Sequence, residues 1–218
     1  IYPMCAKNRR HERREDVLEF LVKNHGFDIK LIKDFSEFEK NEKYLEGTGS
    51  MVLDRENKIC YTAISIRTNE ELVKEFCNVF GYRLVSFTAN QNMEGDRVPI
   101  YHTNVMMCIA DKFVVICLDS IDDSIEREKV IQSINNTGKE IIEITEEQKY
   151  RFAGNMLQVM GNKCYLVMSE SAFNSLTVKQ KRAIQKYNEI IYSSLDTIEA
   201  CGGGSARCMM AEVFLPNN

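Results

Sequence analysis

The chain predicts an α/β fold assembled from repeated strand–strand–helix–strand units. Three observations carry that reading. Apolar runs of strand length alternate with segments whose apolar residues recur at helical spacing. The alternation repeats in the same order three times. Short openings also recur, at Glu46-Gly-Thr-Gly, His102-Thr-Asn, Ala153-Gly-Asn and Gly202-Gly-Gly-Ser, which lie 56, 51 and 49 residues apart. A period of this length marks a propeller or an array. One such unit cannot bury both faces of its sheet, so the units must pack on one another. Radial packing would bring the four openings to one axis, whereas a plain α/β sandwich would keep them apart. Both arrangements fit the pattern.

Taken in order, the chain opens in a strand-like segment, Ile-Tyr-Pro-Met-Cys at residues 1–5. A charged stretch around His11 reads as a helix start. Gly26, after Lys23-Asn24-His25, reads as that helix's C-cap. Residues 51–54 and 58–65 read as a strand pair around a polar turn. Residues 69–80 follow as a helix, with Leu72, Phe76 and Val79 on one face, and residues 82–87 return as a strand. After a polar loop at 90–96 the order repeats. Strands at 104–110 and 113–119 flank an Asp111-Lys112 turn, a helix at 123–136 carries Ile125, Val130 and Ile134, and a strand covers 140–144. The third copy has strands at 156–160 and 163–169, a helix at 178–187 and a strand at 190–193.

Length and composition narrow the function classes. The 218 residues suffice for one domain, 1–218, with a real core. A hydrophobic share of 44% and a charged share of 28% are ordinary for a globular protein. The net charge of −4 gives no basic character that would suggest nucleic acid. No apolar run approaches a membrane span and no signal peptide is visible. Most of the eight cysteines sit in apolar runs such as Val-Met-Met-Cys-Ile-Ala, and no Cys-x-x-Cys pair occurs. That usage predicts a reducing, cytoplasmic setting, with a disulfide framework as the alternative. The chain starts at Ile1, which raises the expectation that it is part of a longer protein.

Few residues are placed for chemistry. Of the three histidines, His11 lies in a charged run and His25 at a helix C-terminus, where it complements the helix dipole. His102 stands between a polar loop and a strongly apolar strand, a position suited to proton transfer and equally to a structural role. Cys208 follows three consecutive glycines and Arg207, whose charge would favour the reactive thiolate. A flexible turn before a last strand is the plainer alternative. Glu46, before a Gly-Thr-Gly turn, would bind a cationic or polar nitrogen group, or sit on a surface turn. Arg67, between a strand and a helix, would clamp a carboxylate or form a surface ion pair. Phosphate-loop, dinucleotide and serine-hydrolase motifs are absent.

The segments YPMCAKNRRHERR, LEGTGSMVLD, SIRTNEE, YHTNVMMC, FAGNM and GGGSARCMMAEVFLP together resemble the amidinotransferase superfamily, and within it the citrulline-utilisation hydrolases. They span the whole chain. The resemblance implies a five-bladed α/β propeller with the site on its axis, of which this chain would supply about three and a half units, and a missing upstream unit with an acidic substrate contact. It implies Cys208 as nucleophile, His102 as general acid/base and Glu46 as a substrate-binding carboxylate. It also implies Arg67 as the holder of a substrate α-carboxylate, with Arg9 or Arg10 as a second contact. No cofactor and no metal are implied, and the expected partner is a small amino-acid substrate; a homo-oligomer is compatible with the sequence. Arginine deiminases resemble His-x-Asp and Glu-Gly-Gly-Asp where this chain has His102-Thr103-Asn104 and Glu46-Gly47-Thr48-Gly49. Two carboxylates are thus replaced, which weakens pairing with a guanidinium, while the Asn104 amide can donate to a ureido oxygen. Citrulline hydrolysis is the expected activity. Arginine deiminase, dimethylarginine hydrolase and a non-catalytic binding paralogue are the alternatives.

Overall fold

The computed structural model describes residues 1–216. Helix α1 (Glu15–His25) leads into a first unit of β1 (Val52–Asp54), β2 (Ile59–Ala63), α2 (Glu70–Phe80) and β3 (Arg83–Phe87). A hairpin of β4 (Asn90–Met93) and β5 (Asp96–Pro99) follows. The second unit is β6 (Met107–Ile109), β7 (Phe113–Ile116), α3 (Ser124–Asn135) and β8 (Glu140–Glu143). After α4 (Glu146–Tyr150), the third unit is β9 (Leu157–Met160), β10 (Cys164–Ser169), α5 (Glu170–Ser175), α6 (Val178–Gln185) and β11 (Glu189–Ser193), with α7 (Asp196–Gly202) last.

The three units share one topology. In each, the first two strands pair antiparallel through a tight turn, and the third joins the second in parallel after a helical crossover. A parallel neighbour requires such a crossover, which is why a helix separates the second and third strands every time. The sheets are separate, with orders β1-β2-β3, β6-β7-β8 and β9-β10-β11 plus the β4-β5 hairpin, and none closes on itself among the described residues. The helices start where side chains cap them. Asn69 accepts from Glu71 and Leu72 N–H groups, Asp123 from Ile125 and Glu126, and Thr145 and Thr177 complete capping boxes. Gly26 adopts the left-handed conformation that ends α1, and His25 lies in its last turn, its ring 5.0 Å from that of Phe20.

The central core runs through all three units: Tyr61, Phe87, Ile100, Met106, Phe113 and Ile116 are fully buried, and Leu166, Met168 and Ile184 of the third unit belong to the same cluster. A smaller cluster around Phe35, Leu45, Leu72 and Phe76 fastens the N-terminal segment under α2.

Several expectations change. Residues 1–5 form no strand; Phe35 N–H bonds the Ile1 carbonyl and Leu45 N–H that of Pro3, so the segment is held as a strap. The polar stretch at 90–96 belongs to a hairpin, because Glu94 and Gly95 both take positive φ, 52° and 96°, as a two-residue turn between twisted strands requires. The strand expected from 104 starts only at Met107, since Thr103–Val105 coil into one 3-10 turn against Gly49. Gly202 ends α7, and Gly203 and Gly204 lead into a 3-10 turn at Ala206–Met209, which carries Cys208. The helix expected at 178–187 is present as α6, and a short helix the sequence did not announce, α5, precedes it, the two separated by Leu176 and Thr177 in extended conformation.

Candidate active site

The unit openings converge. Glu46, His102, Asn104 and Cys208 line a single cavity of about 570 Å³, together with Arg67, Arg9 and the Gly202–Gly204 loop. Residues more than 100 positions apart thus share one space because each stands at the mouth of a different unit.

Glu46 and His102 form its innermost pair. His102 Nε2 lies 2.7 Å from Glu46 Oε2, and both side chains are nearly sealed from solvent. The opening loop builds this pair. Ser50 Oγ accepts from the Glu46 N–H at 2.9 Å and donates to the Arg67 carbonyl, tying the loop to the following strand end. Gly49 lies flat against the imidazole: a Cβ there would stand 2.9 Å from Cε1 and Nδ1. Gly49 is therefore required by the packing of the ring. Its carbonyl accepts the Asn104 N–H at 3.1 Å, locking the first opening to the second.

Burial pushes the Glu46 carboxyl up, but the His102 hydrogen bond, the Cys5 N–H and the Arg67 guanidinium together hold it below the usual carboxylate range. Its Oε1 accepts from the Cys5 N–H at 2.9 Å, and Oε2 lies 3.6 Å from Arg67 Nη1. Glu46 thus stays an anion that orients a histidine, with both oxygens already engaged.

Arg67 lines the cavity with its guanidinium 5.3 Å from the centre of the Tyr101 ring. Tyr101 donates its hydroxyl to the Gly203 carbonyl at 2.6 Å and so holds the glycine loop. Arg9 also lines the cavity, steadied by two 3.0 Å bonds to Glu12. Arg10 is not brought there: it reaches Glu39 at 3.1 Å and the Met4 carbonyl at 3.2 Å, a structural bridge for the strap. Arg207, expected to lend its charge to the neighbouring thiol, lies 3.7 Å from Glu212 and does not line the cavity.

Cys208 is exposed to the cavity, while Cys60, Cys77, Cys108 and Cys117 are buried. Gly204 lies against it, where a Cβ would meet the sulfur at 3.1 Å. Two amides face the sulfur, Asn104 Nδ2 at 3.8 Å and Asn155 Nδ2 at 3.3 Å. Asn155 was missed as a site residue, although the repeat itself marked its position. Among the described residues, no group of three or more His, Cys, Asp or Glu side chains is placed to hold a metal ion, and no helix is long and apolar enough to cross a membrane. A thiol, a histidine bound to a buried carboxylate, and amide donors around one cavity form a set suited to nucleophilic attack with proton transfer.

Solved structures share the fold. The N-terminal domain of ArgZ, an arginine dihydrolase from the ornithine-ammonia cycle in Cyanobacteria, matches 99% of this chain and 70% of its own length at 16% identity, TM-score 0.71. AgrE, solved with L-arginine, matches all of this chain at 16% identity and TM-score 0.71, but only 29% of its own length is covered. SxtG, an amidinotransferase of Microseira wollei, covers the whole chain and 66% of its own length at 14% identity, TM-score 0.64. At such identities the likeness establishes the mixed α/β fold of small sheets. No curated protein sequence matches. The family model described as "N,N dimethylarginine dimethylhydrolase, eukaryotic" matches residues 1–215, and the chain belongs to that family, a group of C–N hydrolases within the amidinotransferase superfamily.

Proposed function

We propose that the protein is a cysteine-dependent hydrolase acting on the ureido carbon of citrulline, giving ornithine, ammonia and carbon dioxide. Cys208 is the nucleophile, His102 the acid/base, and Glu46 the carboxylate that orients His102. The observation that carries the substrate choice is the cavity's charge. Glu46 is the one acidic side chain lining it among the described residues, and its oxygens already face His102, Arg67 and the Cys5 N–H. Arg9 and Arg67 line the same space. A cationic guanidinium would enter without a free counter-charge, whereas a neutral ureido group carries no such demand. Each charge-assisted hydrogen bond is worth about 1.5–3 kcal/mol, so two missing partners lower arginine affinity by roughly two or more orders of magnitude. Arg67 and Arg9 suit the substrate's α-carboxylate, and the Asn104 amide suits the ureido oxygen.

In the first step the Cys208 thiolate adds to the ureido carbon and one C–N bond breaks, with His102 giving its proton to the departing nitrogen. A carbamoyl thioester remains. His102 then takes a proton from water, the hydroxide adds to the thioester carbon, and the thiolate leaves. The carbamate so formed loses carbon dioxide. Either nitrogen can leave first, and the sum is the same. We further read the three units as consecutive blades of a five-bladed propeller; the convergence of the openings at Glu46, His102 and Gly202 on one cavity supports it.

The family's description supports a second reading, hydrolysis of dimethylarginine. Incubating the full-length protein separately with citrulline, arginine and dimethylarginine, and quantifying ornithine and citrulline, distinguishes them. Ornithine from citrulline at a much higher kcat/KM than any turnover of the two cations is the expected result. Rapid conversion of arginine or dimethylarginine to citrulline, with no ornithine formed from citrulline, would refute the charge argument.

A further inference from the structure

Three of the four unit openings supply a group with an assigned part: Glu46, His102 with Asn104, and the loop before Cys208. The opening at Ala153-Gly154-Asn155 supplies none so far. Its asparagine is 1% exposed. Its Nδ2 lies 3.3 Å from Cys208 Sγ and donates to the Asn104 carbonyl at 3.0 Å.

The backbone around it is built to put it there. Phe152 takes a positive φ of 61°, and the Asn155 N–H closes onto the Phe152 carbonyl at 2.8 Å, which turns the chain sharply after α4. Gly154 then passes so close to the second unit that a Cβ would stand 2.5 Å from the Val105 carbonyl oxygen. Only glycine allows that approach, and the approach delivers the next side chain to the sulfur.

The amide's orientation follows from its neighbours. With Nδ2 inward it meets two acceptors, a carbonyl oxygen and a sulfur; reversed, its Oδ1 would press against the Asn104 carbonyl oxygen. In the orientation present, Asn155 Oδ1 is buried with no hydrogen-bond partner. An orphaned acceptor is destabilising, so an apolar side chain would serve a purely structural post better.

We propose that Asn155 is a further catalytic residue, whose amide N–H stabilises negative charge on the Cys208 sulfur and fixes its direction, with the second N–H anchored on Asn104. The proposal rests on the reading of Cys208 as nucleophile. A donor at this distance favours the charged over the neutral thiol and again favours the sulfur that departs when the thioester is hydrolysed. It adds no chemical step and takes up no proton.

Site-resolved alkylation of the full-length protein with iodoacetamide tests it, at pH 7 and at about pH 10, where an ordinary thiol is ionised in any case. Asn155→Ala is expected to slow Cys208 alkylation about tenfold at pH 7, the lower range for one hydrogen bond to a charged group, and to restore it to within about twofold of the parent at the higher pH. Asn155→Asp, which keeps the shape and adds a like charge, is expected to slow it further at pH 7. Parent-like rates at pH 7, or an equal slowing at both pH values, would overturn the proposal. If Cys208 of the parent alkylates no faster than the other seven cysteines, the nucleophile reading fails instead. Should Asn155→Ala not fold, Asn155→Asp carries the same comparison. Should neither fold, Asn155→Leu, the apolar near-isostere, is expected to slow Cys208 alkylation at pH 7 and not at the higher pH, and a parent-like rate at pH 7 overturns the proposal.

Discussion

Gly49→Ala tests the inner pair with a single methyl group. Gly49 is not among the glycines held in the left-handed region, so its backbone accepts a side chain without strain. The obstacle is the imidazole, whose Cε1 and Nδ1 lie 2.9 Å and Cγ 3.0 Å from the new Cβ. Ordinary contact begins near 3.4 Å, so the ring must retreat by about half an ångström. It is held from the other side by Glu46 at 2.7 Å, and that carboxylate by Cys5 and Arg67, so the retreat deforms a network and not a free side chain. Overpacking of this kind costs about 1–3 kcal/mol of stability. A misplacement of about 1 Å in a catalytic group can cost about a hundredfold in rate, so half of that predicts a loss of roughly tenfold or more in kcat with KM changed much less. Steady-state ornithine formation from citrulline measures the rate, and thermal denaturation the stability. A folded Gly49→Ala protein with parent kcat would show that the placement of His102 against Glu46 does not govern the chemistry.

Four other outcomes follow from the same geometry. Cys208 should alkylate faster than the seven other cysteines in mass-spectrometric labelling of the native protein, and Cys208→Ala should abolish turnover while substrate still protects the protein against heat. The folded-state ionisation of Glu46 lies below its unfolded value, so its stabilisation is present above about pH 4.3 and is lost as pH falls through the lower folded value. Glu46→Gln should therefore melt earlier than the parent at pH 7, with the gap closing in acid; a gap that is constant with pH would contradict this. Asn104→Asp should narrow the preference for citrulline over arginine by about tenfold, read as the ratio of kcat/KM values. Gly154→Ala should destabilise by more than Gly49→Ala, because its Cβ would strike the Val105 carbonyl and Met106 backbone at 2.5–2.9 Å, atoms that cannot swing aside; equal melting temperatures would refute it.

The units were legible because their signal is local and repeated. Strand pairs and crossover helices alternate in periods that any single-unit error leaves intact, and the openings at Glu46, His102 and Gly202 marked ends that face one cavity, while the one at Ala153 packs beside it. What escaped depended on distance in sequence. Nothing near Arg10 reveals that Glu39 stands opposite it, and nothing near Arg207 reveals Glu212 as its neighbour, so both were given charges to lend that the fold directs elsewhere. Gly49 read as a missing carboxylate, and only the imidazole pressed against it shows why a side chain does not fit. The β4–β5 hairpin escaped because its strands are polar and its Glu94-Gly95 turn lacks the Asn-Gly or Asp-Gly pair that usually announces one. Asn155 sat inside a recognised repeat opening, yet an isolated asparagine carries no sign of a sulfur beyond the turn.

Three openings meet at one cavity and the fourth packs against two of them through Asn155, and this has a consequence for how the protein comes into being. Glu46, His102, Asn155 and Cys208 lie on four stretches of chain that touch only after every unit has docked. Contacts of such long sequence separation close late, since the loops between them must lose their freedom before the contact can repay it. During refolding, then, secondary structure returns first and turnover last. On the proposed assignment, no fragment ending before residue 208 holds both the thiol and the histidine, and a nick that loosens any one unit would silence the whole centre. Catalytic recovery in this protein is a measure of complete assembly, not of how much helix and strand has formed.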